Sequence, residues 1–235
     1  MTTRIGFIVV MVLTSSGLVA QSINHEPMFG GKPKPLSQRK ADEAFIQKMD
    51  SLEGGRKQAA KYFVEKGWFY YHRDILDTAM FRFNQAWLLD PDNPDIYWGF
   101  GSLMGKRSDP ETAKELFSKG LKKDTSHIPL QMYLATAYMD YAMQQHVSEN
   151  HKERMLHISE RLLKEVVKKD PKNAEGYYRL AVNAFLRNKH GEAWKAVYKS
   201  RKLGGDIKPD FLIDLSAKHK DPRGEFADDD YVWGY

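Results

Sequence analysis

The residues in this chain best suited to chemistry are its eight histidines, three of which, His146, His151 and His157, fall in one stretch. On a continuous helix Glu153 and His157 lie four apart and share a face, the spacing by which two side chains can hold one metal ion. No HExxH sequence accompanies them, and a charged, solvated helix gives the same spacing, so the expectation is a surface pair without metal. Serine, histidine and aspartate are plentiful, yet no GxSxG elbow marks a nucleophile. Gly99 and Gly101 do not follow a strand and therefore do not cradle a phosphate. Cysteine is absent, which removes thiol nucleophiles, iron–sulfur ligation, Cys-type zinc sites and disulfides. The chain is expected to be no enzyme and to need no cofactor.

Charge gives little more chemistry. Thirty-six Lys and Arg stand against 31 Asp and Glu in 235 residues, a surplus of +5 in a chain that is 29% charged and 42% hydrophobic, as an ordinary globular protein is. Lys119, Lys122 and Lys123, then Lys164, Lys168 and Lys169, then Lys199, Arg201 and Lys202 recur where helices should end. There they complement the negative ends of helix dipoles. A peripheral contact with an anionic membrane or an acidic partner is the alternative. No interleaved basic–aromatic motif points to nucleic acid, which is not expected as a partner.

The elements behind these residues follow a fixed period. With Ala60 as position 1, Gly67, Tyr70, Ala79, Phe83, Ala86 and Pro91 fall at positions 8, 11, 20, 24, 27 and 32. In the frame 94–127, Tyr97, Gly101, Ala113, Phe117 and Gly120 take positions 4, 8, 20, 24 and 27. Residues 174–207 make a weaker copy, with Tyr177, Leu180, Ala181 and Ala193 at 4, 7, 8 and 20. Between them 128–173 opens with Leu134, Ala135 and Tyr138 at 7, 8 and 11 and closes on Asp170-Pro171, twelve residues longer than the others. The extra length centres on Asp140 to Lys152 and is expected to lengthen both helices of its pair by a turn or more. Small residues at positions 8 and 20 let paired helices approach, and large ones at 4, 7, 11 and 24 fill the gaps between turns.

The ends read differently. Residues 1–20 have one positive charge at Arg4, an uncharged apolar run from Ile5 to Leu13 and small residues ending in Ala20. That is the pattern of a secretory signal peptide, with a membrane anchor as the alternative; the run is about half the roughly 20 residues a bilayer span requires. Export to a bacterial periplasm is therefore expected. Residues 21–36, rich in Pro and Gly, predict an extended leader that can dock through Met28 and Phe29. Residues 37–59 predict an N-terminal cap helix starting on Ser37, with Ala41, Phe45, Met49 and Leu52 on one face. Residues 208–218 predict a C-terminal cap helix with Phe211, Leu212 and Leu215 together, and 219–235 an acidic–aromatic tail.

Repeats 60–93 and 94–127 resemble the tetratricopeptide repeat (TPR) in length and in the residues just named, and the likeness extends more weakly to about residue 218. The string FRFNQAWLLDPDNPDIYWGF is also similar to exported bacterial TPR proteins. The resemblance implies an all-α, right-handed solenoid of about four helix pairs, capped at both ends, that binds peptides or proteins on a concave face and does not catalyse. In that family positions 2, 5, 9 and 12 commonly face the groove. Carried over, they give Lys61, Val64, Trp68 and Tyr71, then Asp95, Trp98, Ser102 and Gly105. The third repeat supplies Met132, Thr136 and Met139, and the fourth Glu175, Tyr178, Val182 and Phe185. Val64, Trp68, Ser102 and Thr136 do not match the Lys, Asn and Arg set by which one subgroup holds a terminal carboxylate. A groove of Trp, Tyr and Met favours apolar or aromatic side chains. Tyr231, Trp233 and Tyr235 make the tail itself a candidate ligand. The expected function is an exported protein-binding module serving envelope assembly or secretion; structural self-association is the alternative, and the sequence leaves the oligomeric state open.

Overall fold

A computed structural model describes residues 25–226, and among them there are ten α-helices and no strand. The signal segment 1–20, the start of the leader and the tail from residue 227 lie outside the described residues. The chain divides after Leu89 into two units.

The first unit begins with a turn, Pro27–Gly31, in which Met28, Phe29 and Gly30 have φ of 53°, 57° and 70°. Side chains with a β-carbon avoid this region at a cost of roughly 1–2 kcal/mol each, so something must hold them there. Asn84, fully buried, does so: its Oδ1 accepts the Phe29 N–H at 3.3 Å and its Nδ2 donates to the Glu26 carbonyl at 2.9 Å. Phe29 is buried edge-on to Trp87, and the Lys34 ammonium sits 3.2 Å from its ring centroid. The leader therefore docks, as its two apolar residues suggest, but through a left-handed turn and not as an extended strand.

Helix α1 (Leu36–Asp50) starts ahead of Ser37, which forms no cap bond; Pro35 occupies the cap position. Its Phe45 packs 5.6 Å from Phe63 and its Met49 is buried, whereas Leu52 falls beyond the helix and stays half exposed. Helices α2 (Gly55–Tyr71) and α3 (Leu76–Leu89) form an antiparallel pair. Gly67 faces the Phe83 ring so closely that a β-carbon would meet it at 2.6 Å.

The second unit pairs α4 (Pro94–Lys106) with α5 (Pro110–Lys123), α6 (Ile128–Ala142) with α7 (Glu149–Lys169), and α8 (Ala174–Leu186) with α9 (His190–Lys202). The first helices α4, α6 and α8 also touch in succession. Side-chain caps set helix starts: for α4 Asn93 accepts from Asp95 N–H at 3.0 Å, for α5 Asp109 from Thr112 at 3.0 Å and for α8 Asn173 from Gly176 at 2.8 Å. In three pairs the turn is closed by one left-handed residue at the same register, Asp74, Ser108 and Asn188, with φ of 61°, 59° and 57°. Past each, an N–H reaches back to the preceding helix: Ile75 to Tyr70, Asp109 to Met104 and Lys189 to Ala184.

The pair α6–α7 departs from this plan. Helix α6 has 15 residues against 13 in α4, while α7 has 21 against 14 in α5, and the remainder enlarges the turn 143–148. The expectation that both helices gain a turn is thus corrected: only α7 does, by seven residues, while α6 gains two and the turn three, because the chain leaves α6 at Ala142 and restarts a helix only after Ser148. Helix α10 (Pro209–Lys218) closes the unit over α9. Trp194, fully buried, stacks on Tyr198 and packs against Phe226, and its Nε1 donates to the His219 carbonyl at 2.8 Å.

Candidate partner-binding face

The side chains carried over as groove residues divide between the two units. In the first, Lys61 is exposed, Val64 is buried, and Trp68 and Tyr71 meet edge to face at 5.2 Å near the end of α2. Trp68 also lies edge-on to the buried Phe83 and stacked on His72, so it is partly buried.

In the second unit the neighbouring first helices build a continuous line of contacts. Asn93 and Pro94 start α4 so that Asp95 and Trp98 share one face. His127 precedes α6 and caps it, its Nδ1 accepting the Leu130 N–H at 3.1 Å. With Nδ1 engaged as acceptor, the neutral ring carries its proton on Nε2, which donates to Asp95 Oδ1 at 2.9 Å. Trp98 lies edge-on to both His127 (5.9 Å) and Tyr133 (5.6 Å). On the far side of Tyr133, the Arg179 guanidinium from α8 stands 4.9 Å from the ring centroid. It donates to the Thr136 hydroxyl and pairs with Glu175 at 2.8 Å. Thr136 in turn donates to the Met132 carbonyl. One turn beyond Thr136, burial holds the Asp140 carboxyl above its ordinary value, and the charge of Arg179 offsets this only in part. The line therefore runs from Asp95 through His127, Trp98, Tyr133 and Arg179 to Thr136 and Asp140, mixing ring faces with carboxylates and one guanidinium.

Not every candidate reaches this surface. Ser102, Met139 and Tyr178 are buried and offer nothing to a partner. Met139 packs with Ala142 and Leu156, and Val182 is partly buried against the same cluster. Tyr178 and Phe185 are each 5.6 Å from Phe211, so the C-terminal cap helix covers the positions on α8 that resemblance assigned to the groove. Trp98, Met132 and Thr136 remain accessible in part. The family positions omit Tyr133 and Arg179. Both occupy position 6 of their frames and reach back over position 5 or 9 of the preceding first helix, and an aromatic and a cation recurring at one register was the signal that could have found them.

The histidine cluster serves structure. His157 Nε2 lies 3.1 Å from Glu153, as expected for a shared helix face, but both are engaged by Arg187 from the end of α8. That guanidinium, only 4% exposed, donates to Glu160, to Glu153 at 3.0 Å and to His157 Nε2 at 2.9 Å. A cation already fills the place a metal would take; among the described residues no group of three or more His, Asp or Glu could hold one. Several helix-end cations are likewise engaged, Lys123 with Asp92 at 2.5 Å, Lys164 with Glu160 at 2.7 Å, and Arg201 over Phe226.

No family model matches the sequence, and no curated protein is similar to it. The fold has clear counterparts among solved structures. TTC0263, a thermophilic TPR protein of Thermus thermophilus, is 16% identical with a TM-score of 0.60 over 68% of this chain and 81% of that one. PilF of Pseudomonas aeruginosa is 16% identical with a TM-score of 0.60 over 75% of each. PilW, described as a widely conserved type IV pilus biogenesis factor, is 15% identical with a TM-score of 0.58 over 94% of this chain and 98% of that one.

Proposed function

We infer from the all-α fold, that of a TPR solenoid, that the chain is a protein–protein interaction module. We propose that it is an exported, non-enzymatic TPR adaptor that binds a peptide or protein along the α4–α6–α8 face of its second unit, in envelope assembly or secretion. One observation carries this reading: the unbroken line Asp95–His127–Trp98–Tyr133–Arg179–Thr136, which presents rings and paired charges from three successive helices. Rigid aromatics flanked by polar groups give large contact area for little lost entropy. The apolar run Ile5–Leu13 ending in small residues at Ala20 supports export. The likeness in fold to PilF and PilW is compatible with a role at the envelope. Among the described residues no helix is long and apolar enough to cross a membrane.

The test is a cross-linked pull-down from envelope extract with the full chain beside Trp98→Ala/Tyr133→Ala, its helix content checked by circular dichroism. A partner captured by the parent and lost from the variant supports the face named here. A partner held equally by both places the site elsewhere and overturns the assignment.

A further inference from the structure

In the second unit, positions 3, 7, 10 and 14 of the repeat frame carry the side on which a first helix packs against the second helix before it. In the frame from Ile128, positions 3, 7 and 10 are Leu130, Leu134 and Ala137, all buried, and Leu130 lies against Gly120 of α5. In the frame from Ala174, Gly176 rests on Val166 and Val167 of α7, Asn183 donates to the Leu156 carbonyl at 2.9 Å, and Arg187 at position 14 grips Glu153 and Glu160. Counted from Ala60, the same four positions in the first unit are Tyr62, Lys66, Phe69 and Arg73, aligned on one side of α2. Here the two rings stay open, Tyr62 at 52% and Phe69 at 43% exposed. Helix α1, which precedes α2, covers Phe63 with its Phe45 but leaves a cleft of about 390 Å³ between Met49, Leu52, Tyr62 and Phe63. The cations fold back on the rings: the Lys66 ammonium is 5.3 Å from Tyr62 and 5.5 Å from Phe69, and the Arg73 guanidinium stacks 3.5 Å over Phe69. No carboxylate among the described residues pairs with either cation.

We propose that this stripe docks an amphipathic α-helix of another protein, one with carboxylates beside its apolar face, in the place that a preceding repeat's second helix would take. The molecule holds its own pattern for such a contact. To α8, helix α7 offers apolar Val166 and Val167 and the carboxylates Glu153 and Glu160, and these neutralise the cation at position 14. Arg73 occupies that same position without a carboxylate opposite it. Residues 55–73 hold five cations, Arg56, Lys57, Lys61, Lys66 and Arg73, against the single carboxylate of Glu65, so the surroundings select an acidic helix as well. The same charges disfavour a second copy of this chain, whose own stripe would set Lys66 and Arg73 against like charges. An anionic bilayer would meet the charge. A row of rings at helical packing positions, with a cleft beside it, fits the ridge of a helix better than a flat headgroup surface.

The experiment titrates the full chain into a fluorescently labelled, stapled helical peptide of about 14 residues, with leucines at i, i+4, i+7 and i+11 flanked by glutamates, and into a twin with lysines in place of the glutamates. Fluorescence anisotropy should show saturable binding of the glutamate peptide, about tenfold weaker binding of its twin, and a loss of the difference in high salt. Lys66→Glu/Arg73→Glu should invert the order of the two peptides, a gain that a misfolded variant cannot give. Phe69→Ser should weaken the glutamate peptide by about tenfold, with circular dichroism confirming its helix content. Trp98→Ala/Tyr133→Ala should leave both peptides unaffected, so this site and the face on the second unit stand or fall separately. The proposal is overturned if the glutamate peptide does not saturate the chain, if the two peptides bind equally, or if the charge reversal does not invert them. It is also overturned if Phe69→Ser abolishes self-association, or capture of phosphatidylglycerol vesicles, by a chain that does not bind the peptide.

Discussion

Gly101 lies directly beneath the ring of Phe117, so close that a β-carbon at Gly101 would stand 2.4 Å from the nearest ring atom. The same relation joins Gly67 and Phe83 in the first unit. In the last pair, Ala181 takes the glycine's register and its counterpart shrinks to Val197, so the two positions are read together as one volume.

This pairing predicts the outcome of substitution. Gly101→Ala forces the buried Phe117 ring to move and should destabilise the chain by about 1–3 kcal/mol, read as a lower denaturation midpoint. Gly101→Ala with Phe117→Val, the combination the last pair already uses, should recover much of the loss. If the double variant is less stable than either single one, the two positions do not share a volume.

The turns offer a gain. Ser108 holds φ of 59° at the register also occupied by Asp74 and Asn188, and its side chain meets the steric cost that glycine avoids. Ser108→Gly should therefore raise stability by about 0.5–1 kcal/mol, a rise of about 1–4 °C in Tm for a chain this long. Asn188→Gly should gain less, since asparagine tolerates the left-handed region. Calorimetry of the two variants side by side decides the point.

Removing the Arg187 guanidinium leaves Glu153, Glu160 and His157 without their shared donor. Burial alone would raise the Glu160 carboxyl, but hydrogen bonding to Lys164 and the nearby charge of Arg187 hold it below the usual carboxylate range. Arg187→Met should cost about 2–4 kcal/mol, towards the lower side of a broken buried pair because Glu153 stays half exposed. Arg187→Lys should restore only part, since an ammonium cannot serve three partners in one plane.

Acid should release the C-terminal segment. Burial acts to raise Asp221, but hydrogen bonds from the Tyr198 hydroxyl and from the N–H groups of Arg223, Phe226 and Gly224 hold it below its ordinary value. A carboxyl depressed in the folded state contributes stability that is fully present above about pH 4 and is lost as pH falls through the folded value. Proteolysis after residue 219 should accelerate below about pH 4, and Asp221→Asn should show the faster cleavage already at about pH 7. Unchanged cleavage across that range would mean that Trp194 and Phe226 hold the segment alone.

Much of the scaffold was legible because packing residues recur at a fixed period. Gly67, Phe83, Gly101 and Phe117 announce close helix pairs from the sequence alone. The turn residues were not legible, because Asp74, Ser108 and Asn188 share a conformation but no residue type. The face in the second unit was legible only in part. Trp98 and Thr136 follow from the family positions, whereas burial of Tyr178 depends on where α10 comes to lie, and helical spacing within α8 carries no information about that. Tyr133 and Arg179 were hidden for a related reason: their contacts run between neighbouring helices, so neither helix's own pattern reveals them.

The Arg187 clamp bears on how this protein can change over evolutionary time. Repeat arrays diversify by duplicating, deleting and exchanging single repeats, which works when each joint is generic. Here a guanidinium at the end of α8 grips two carboxylates two turns apart on α7, one of them, Glu153, in the part of that helix that has outgrown its counterpart α5. The enlarged repeat and its successor are thereby tied as a unit of inheritance. Recombination at their boundary would leave the buried Arg187 without the carboxylates that neutralise it.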